Sequence, residues 1–190
     1  MCMKKIWILF IIFLFITSPV FSCSKINNKP ISHSDGTIEY NLSKQSQAKA
    51  SRILYKFVLK ELGKTPKEAQ NFANITPKTI SAFETDLNGD GKKEVIGVVF
   101  STYYSCTEGF KLFILEQQNN IEYIDLSDIH ILPNEKIYIN NIIINNYKEI
   151  KAKCYNNHNR LKGEFVESTI YLLFQNNSYK YNYLKMKVNI

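Results

Sequence analysis

The stretch that decides the fold is residues 80–99, which read ISAFETDLNGDGKKEVIGVV. Apolar, β-branched and aromatic residues dominate its two ends, residues 80–84 and 95–99, as is typical of buried strands. The middle is rich in Asp, Asn and Gly, which favour turns because Gly accepts positive φ and Asx side chains bond to nearby backbone groups. The stretch therefore predicts two strands joined by one tight loop.

The loop between these strands carries the one motif with a defined chemistry. Side-chain oxygens recur at alternate positions, so they converge on one point, and Gly91 permits the sharp turn. Calcium prefers about six to eight oxygen ligands in a flexible cage. The loop therefore predicts a structural calcium site whose ligands are Asp86, Asn88, Asp90, the carbonyl of Lys92, and Glu94. The alternative is an Asx-rich turn that binds nothing.

The loop is not an EF-hand, because Gly97 stands where the closing Glu should be and a strand follows instead of a helix. Residues 85–99 resemble the calcium loops of FG-GAP/VCBS-type repeats, as in the propeller blades of integrin α-chains. Only one blade-like unit is present, so a full propeller is excluded. The resemblance implies a calcium ion bound in this loop.

The same stretch also resembles small secreted bacterial proteins of unassigned role. In those proteins DLNGDGKKEVI is followed by a strand, a Cys-containing turn, another strand and a terminal hairpin. The matching pieces here are residues 104–109, 110–115, 146–150 and the hairpin ending in Tyr179, so the resemblance covers about half of the chain. The turn in that group often carries two Cys; here it carries one, which favours Cys154 as its partner.

The rest of the chain places helices before most of the strands. Apolar residues at helical spacing predict a helix over residues 43–62, with Ser43 as N-cap and Gly63 after its end. A capping box at Thr65 predicts a second helix to about Phe72. Asn-Asn pairs between later apolar runs indicate hairpins. We expect an α+β fold, with one or two N-terminal helices on an antiparallel β-meander of about six to eight strands.

The N-terminus has the pattern of a secretory signal over residues 1–22. Two lysines precede an apolar run, residues 6–16, which is too short to span a bilayer because a spanning helix needs about 20 residues. Residues 20–23, VFSC, resemble a bacterial lipobox, which predicts lipidation of Cys23 and, with Ser24 next, an outer-membrane anchor facing the periplasm. The alternative is cleavage to a soluble periplasmic or secreted protein. Residues 23–42 are then anchor and polar tether, and residues 43–190 form one domain.

The cysteine count agrees with this assignment. Of the four cysteines, cleavage removes Cys2 and lipid modifies Cys23, which leaves an even number in an oxidising compartment. We therefore predict a disulfide between Cys106 and Cys154. The alternative is a reactive thiol at Cys154, with His158 four residues away.

The charged composition argues against one class of function, nucleic-acid binding. The net charge of +7 comes from lysines, with arginine only at Arg52 and Arg160, and nucleic-acid binding is not expected because guanine and phosphate contacts favour arginine. Tyr179 and its neighbours at alternate positions predict either ordinary packing or an aromatic platform for a glycan or peptide. We expect a non-enzymatic envelope lipoprotein, stabilised by calcium, that binds a protein or cell-wall partner as an immunity protein or inhibitor does. The alternative is an envelope hydrolase with a site around Glu108, Glu149 or His158.

Overall fold

The structure is a computed structural model that describes residues 29–43, 45–107, 109–119, 121–132, 136–159, 164–182 and 187–188. Within these ranges the chain forms two α-helices and thirteen strands. The helices are α1 (Ala48–Leu62) and α2 (Pro66–Ala73). The strands are β1 (Ile31–Ser32), β2 (Ile38–Asn41), β3 (Ile80–Thr85), β4 (Glu94–Val99), β5 (Ser105–Cys106), β6 (Gly109–Gln117), β7 (Tyr123–Asp125), β8 (Ile129–Ile131), β9 (Lys136–Ile144), β10 (Tyr147–Asn159), β11 (Glu164–Gln175), β12 (Ser178–Tyr181) and β13 (Lys187–Val188).

The strands form two antiparallel sheets. Sheet I has the order β1-β2-β9-β10-β11-β12, with β13 also paired to β11, and sheet II has the order β3-β4-β6-β5, with β7 and β8 also paired to β6. A parallel bridge between Ser127 and Tyr179 joins the two sheets at one end. Their inner faces share one apolar core, to which sheet II contributes Phe83, Ile96, Val98, Leu112 and Ile114, and sheet I contributes Tyr40, Ile137, Ile139, Ile150, Ile170, Leu172 and Tyr179.

Helices α1 and α2 cover the other face of sheet II. Leu54 and Val58 of α1 are fully buried there against a second apolar cluster that includes Val95 and Phe113. Gly97 lies beneath α1, where a Cβ atom would come within 2.8 Å of the Leu54 side chain and 2.6 Å of Ala82. The absent side chain therefore lets the helix approach the sheet closely. The result is three layers, with sheet II in the middle.

The α+β class is confirmed in its coarse form, but the strand number exceeds the predicted six to eight, and the strands form two sheets instead of one meander. Part of the difference arises in the segment expected to be a polar tether. Residues 31–41 form β1 and β2, and β2 pairs with β9 because Tyr40 lies in the core and Ile38 packs against it. This short hairpin was not predicted, because the polar residues around the Asp35-Gly36 turn made the segment resemble a linker.

The helix ends were predicted unequally well. Helix α1 begins at Ala48 with Gln47 as N-cap, so the predicted N-cap at Ser43 was wrong. The segment before Ala48 stays extended because the Gln47 amide donates to the carbonyl of Ala82 in β3, at 2.7 Å. Gly63 ends the helix in the left-handed region, and the capping box at Thr65 is confirmed. In the described part of the chain, no helix combines the length and the apolar character needed to cross a membrane.

Candidate functional site

The loop between β3 and β4 is held by its own acidic side chains. One oxygen of Asp86 accepts from the Gly89 amide at 2.6 Å, and the other accepts from the Gly91 amide at 3.1 Å. Both glycines have positive φ, +76° and +82°, which a residue with a Cβ adopts only with strain. The Asp and Gly residues together therefore fold the chain around the Asp86 carboxylate.

Two further side chains repeat this arrangement. Asn88 Oδ1 accepts from the Asp90 amide at 3.0 Å, and Asp90 Oδ1 accepts from the Lys92 amide at 2.7 Å. A carboxylate or amide oxygen has two lone pairs, so each of these oxygens keeps capacity for a second partner. The hydrogen bonds that shape the loop therefore do not use all of the acceptor capacity of these oxygens.

Glu94 closes the loop from its buried side. It is the first residue of β4, only 1% exposed, and its Oε2 accepts from the Leu87 amide at 2.7 Å. Burial raises the pKa of this carboxyl to about 7, and the negative charges of Asp90 and Asp86 act in the same direction. A divalent cation in the loop would offset all three effects, because it stabilises the ionised carboxylate.

Strand β10 supports the loop from behind. The Lys148 amide donates to the carbonyl of Leu87 at 2.8 Å, and the Lys148 ammonium donates to the carbonyl of Asp86 at 3.0 Å. The buried Tyr179 hydroxyl in turn donates to the Lys148 carbonyl at 2.9 Å. This chain of hydrogen bonds ties the loop to sheet I.

The predicted ligands are therefore brought to one loop, and their chemistry fits calcium because every donor is oxygen. In the ranges that the structure describes, no group of three or more His, Cys, Asp or Glu side chains is gathered closely enough to hold a metal. A site here would depend on the Asn88 amide and the Lys92 carbonyl as well as on the carboxylates. Calcium binding stays a prediction.

A cavity of about 750 Å³ opens at the same end of the molecule. Its rim includes the turns of two neighbouring hairpins, β9–β10 and β11–β12, whose four Asn residues all have positive φ. The side-chain amide of Asn145 donates from Nδ2 to the backbone carbonyl of Phe174 at 2.8 Å and so ties one turn to the other hairpin. We call this cavity the asparagine groove; it is lined by Glu116, Gln118, Ile124, Leu126, Asn145, Asn146, Tyr147, Phe174, Asn176 and Asn177.

Tyr147 connects the asparagine groove with the loop. Its ring stacks on Phe174, with centroids 3.9 Å apart, and its hydroxyl donates to Glu116. Burial and the hydrogen bond to Glu116 raise the pKa of Tyr147 to about 12, so the hydroxyl keeps its proton at neutral pH. The Asn88 side chain acts on the pKa of Tyr147 in the opposite direction and lowers it. A predicted calcium ligand thus lies near a groove residue.

Sequence reasoning did not find this groove. The Asn-Asn pairs were interpreted only as turn signals, which they are, and nothing local indicates that two turns separated by about thirty residues lie side by side. The alternating tyrosines lie in β12, which does adjoin the groove. Tyr179, however, is fully buried, and its ring packs edge-on against Tyr147 and Phe174. Tyr179 is therefore part of the support beneath the groove and not part of an exposed platform.

The residues proposed for a hydrolase site lie as follows. Glu149 is 1% exposed, and its Oε1 accepts from the side-chain Nδ2 of Asn140 at 2.8 Å. Glu108 and the side chain of His158 lie outside the described part of the chain, as do residues 1–28 with the predicted lipidation site, Cys23. For Glu149 the described contacts are those of a buried, hydrogen-bonded carboxyl.

Cys106 and Cys154 lie on different sheets. Cys106 is exposed in β5 beside Gly109, and Cys154 is buried in the core from β10, with no disulfide between them in the structure. Strand β8 nevertheless connects the neighbourhoods of the two cysteines. Gly109, the pairing partner of Cys106, lies against the Ile131 carbonyl, and the Leu132 amide donates to the carbonyl of Lys153, next to Cys154, at 2.8 Å. The pairing stays a prediction.

We expect the protein exported to an oxidising compartment to contain the Cys106–Cys154 disulfide. Closing a loop of nearly fifty residues stabilises the folded state by about 3–4 kcal/mol in the chain-entropy account. Alkylation of denatured, unreduced protein, followed by mass measurement, should modify neither cysteine, whereas Cys106→Ser should leave Cys154 open to alkylation. Alkylation of both cysteines in the unreduced protein would contradict the pairing.

Comparison of the chain with models of protein families, with curated proteins and with solved structures finds no match. The resemblance of residues 85–99 to FG-GAP/VCBS loops accordingly stays a prediction. The strand–loop–strand arrangement expected around that motif is confirmed by β3 and β4.

Proposed function

We propose that the chain is a bacterial envelope lipoprotein whose α+β domain, stabilised by calcium, binds a protein or cell-wall partner. The lipid at Cys23 and the signal in residues 1–22 place it in the envelope, at the outer membrane facing the periplasm. The domain acts as a rigid binding module in the manner of an immunity protein or inhibitor.

The observation that carries this proposal is the asparagine groove beside the predicted calcium loop. Ligand sites are concave and combine an apolar floor with a few placed polar groups. The groove has an aromatic pair, Tyr147 and Phe174, and a rim of amides, and it lies at the end of the molecule that the loop stabilises. Its one carboxylate, Glu116, is already engaged by Tyr147 and Gln118. This arrangement suits binding better than general acid or base catalysis, which needs a group able to exchange a proton.

The hydrolase remains the alternative class, but no contact of the described residues favours it. Glu149 is buried against Asn140, so a substrate would have to displace packed residues to reach it.

We expect the mature chain, residues 23–190, to cosediment with purified cell-wall sacculi or to retain a stoichiometric partner from detergent-solubilised envelopes. Each assay is run with calcium and with chelator. Retention that is lost with chelator would support a module whose loop shapes the binding surface. Absence of retention in both assays and both conditions would contradict a binding role.

A further inference from the structure

We propose that the asparagine groove is a binding site for an uncharged oligosaccharide rich in hydroxyl and acetamido groups. This inference rests on the proposed function and names the chemistry of the cell-wall partner. The ligand lies across the paired turns of hairpins β9–β10 and β11–β12, with one sugar ring against Tyr147 and Phe174.

The polar lining matches groups that both donate and accept hydrogen bonds. Six of the ten lining side chains are amides or carboxylates, and five of these six are Asn or Gln. An amide side chain presents a carbonyl acceptor and an NH₂ donor side by side. Sugar hydroxyls and acetamido groups offer the same combination, so they can satisfy such a rim without leaving any group unpaired.

The charge of the groove lining disfavours an anionic ligand. None of the ten lining residues is Lys or Arg, and Glu116 is the one acidic group among them. A phosphate or carboxylate would therefore meet a negative charge and no cation. Both oxygens of Glu116 already accept hydrogen bonds, one from Tyr147 and one from Gln118 at 2.7 Å. The carboxylate is thus committed to positioning these two side chains, which favours an uncharged ligand over a cationic one.

The shape fits a chain of a few sugar rings. The volume of about 750 Å³ falls within the usual range for ligand sites, about 300–1,000 Å³. Tyr147 and Phe174 are partly exposed; since each ring covers one face of the other, the C–H face of a pyranose would contact the part of the pair that stays exposed. Tyr179 packs edge-on against both rings and holds them in place. These ring contacts position the floor before a ligand binds, which lowers the entropy cost of binding.

The test uses the mature chain and N,N′,N″-triacetylchitotriose as probe, followed by calorimetry and by amide NMR. We expect saturable binding, with resonance shifts confined to the residues that line the groove and their neighbours in sequence. Asn146→Gly combined with Asn177→Gly removes two rim amides, and both positions have positive φ, 69° and 60°, which glycine accepts without strain. We expect this variant to bind the trisaccharide at least tenfold more weakly.

Asn74→Gly is the matched control, because Asn74 has a φ of 53° at the end of α2 and does not line the groove. It should bind as the unaltered chain does, and melting temperatures identify any variant that is merely unfolded. No saturable binding of the trisaccharide, or equal binding by the groove variant, would overturn the proposal. Binding of a cell-wall stem peptide in the groove, without glycan binding, would also overturn it.

Sacculus cosedimentation separates this inference from the proposed function. Sacculus binding that persists in the groove variant would place the wall-binding surface elsewhere and overturn only the oligosaccharide site. Loss of sacculus binding and of trisaccharide binding together, in the groove variant and not in Asn74→Gly, is the result that supports both.

Discussion

Calcium is expected to raise the melting temperature of the mature domain, and Asp90→Asn is expected to remove most of that gain at the same calcium concentration. A ligand at a hundred times its dissociation constant stabilises the folded state by about 2.7 kcal/mol. In a domain of this size that free energy corresponds to an increase of about 5–10 °C in the melting temperature. Thermal unfolding in calcium and in chelator, followed by circular dichroism, measures the difference.

Asp90→Asn isolates the role of the charge. Asp90 uses only its Oδ1 in the loop, as acceptor from the Lys92 amide, and an Asn Oδ1 can make the same hydrogen bond. The variant should therefore fold as well as the original chain in chelator, while the loss of one anionic ligand weakens calcium binding. Asp86→Asn is less suitable, because both oxygens of Asp86 hold backbone amides and one of these bonds would be lost.

Asp35→Asn is the matched control for this experiment. Asp35 is exposed and its Oδ1 accepts from the Thr37 amide at 2.9 Å, the same two-residue turn that Asp90 makes with Lys92. It should keep the full response to calcium. Equal melting temperatures in calcium and chelator for the unaltered chain would show that the loop is an ordinary Asx-rich turn.

Local chemistry explains why the loop could be predicted and the asparagine groove could not. Strands β3 and β4 and the loop between them lie within about twenty consecutive residues, and the capping box at Thr65 depends on residues three positions apart. The split into two sheets depends on which hairpin packs on which, and β2 joins β9 across nearly one hundred residues. Strands in one sheet and strands in two packed sheets both show apolar residues at every second position, so this pattern could not tell the two arrangements apart.

In the candidate site, too, the local features could be predicted from the sequence and the long-range contacts could not. The predicted calcium ligands follow one another in sequence, whereas their support comes from Lys148 and Tyr179, which no spacing rule connects with the loop. Tyr147 is a second long-range feature, because its hydroxyl donates to Glu116 from a strand about thirty residues later in the sequence.

Glu94→Gln is expected to stabilise the calcium-free domain at pH 8 and to leave its stability unchanged at pH 4. The carboxyl has a pKa of about 7 in the folded state against 4.5 as its reference value, because burial disfavours the charge. As the pH rises from 4.5 to 7, the unfolded chain loses this proton before the folded chain does, so stability falls over that window. Above pH 7 the full cost remains, with an upper limit of about 3 kcal/mol.

Calcium should reverse the order of the two proteins at pH 8. The glutamine can still accept from the Leu87 amide, so the variant keeps the loop contact but lacks the anionic ligand. In calcium the unaltered chain should regain the stability that the buried charge costs, while Glu94→Gln should change little. Denaturant titrations at pH 4, 6 and 8, with calcium and with chelator at the two higher values, measure both effects. A variant that is less stable than the unaltered chain in chelator at pH 8 would mean that the Glu94 charge is already compensated within the protein, and the loop would then have no electrostatic need for a cation.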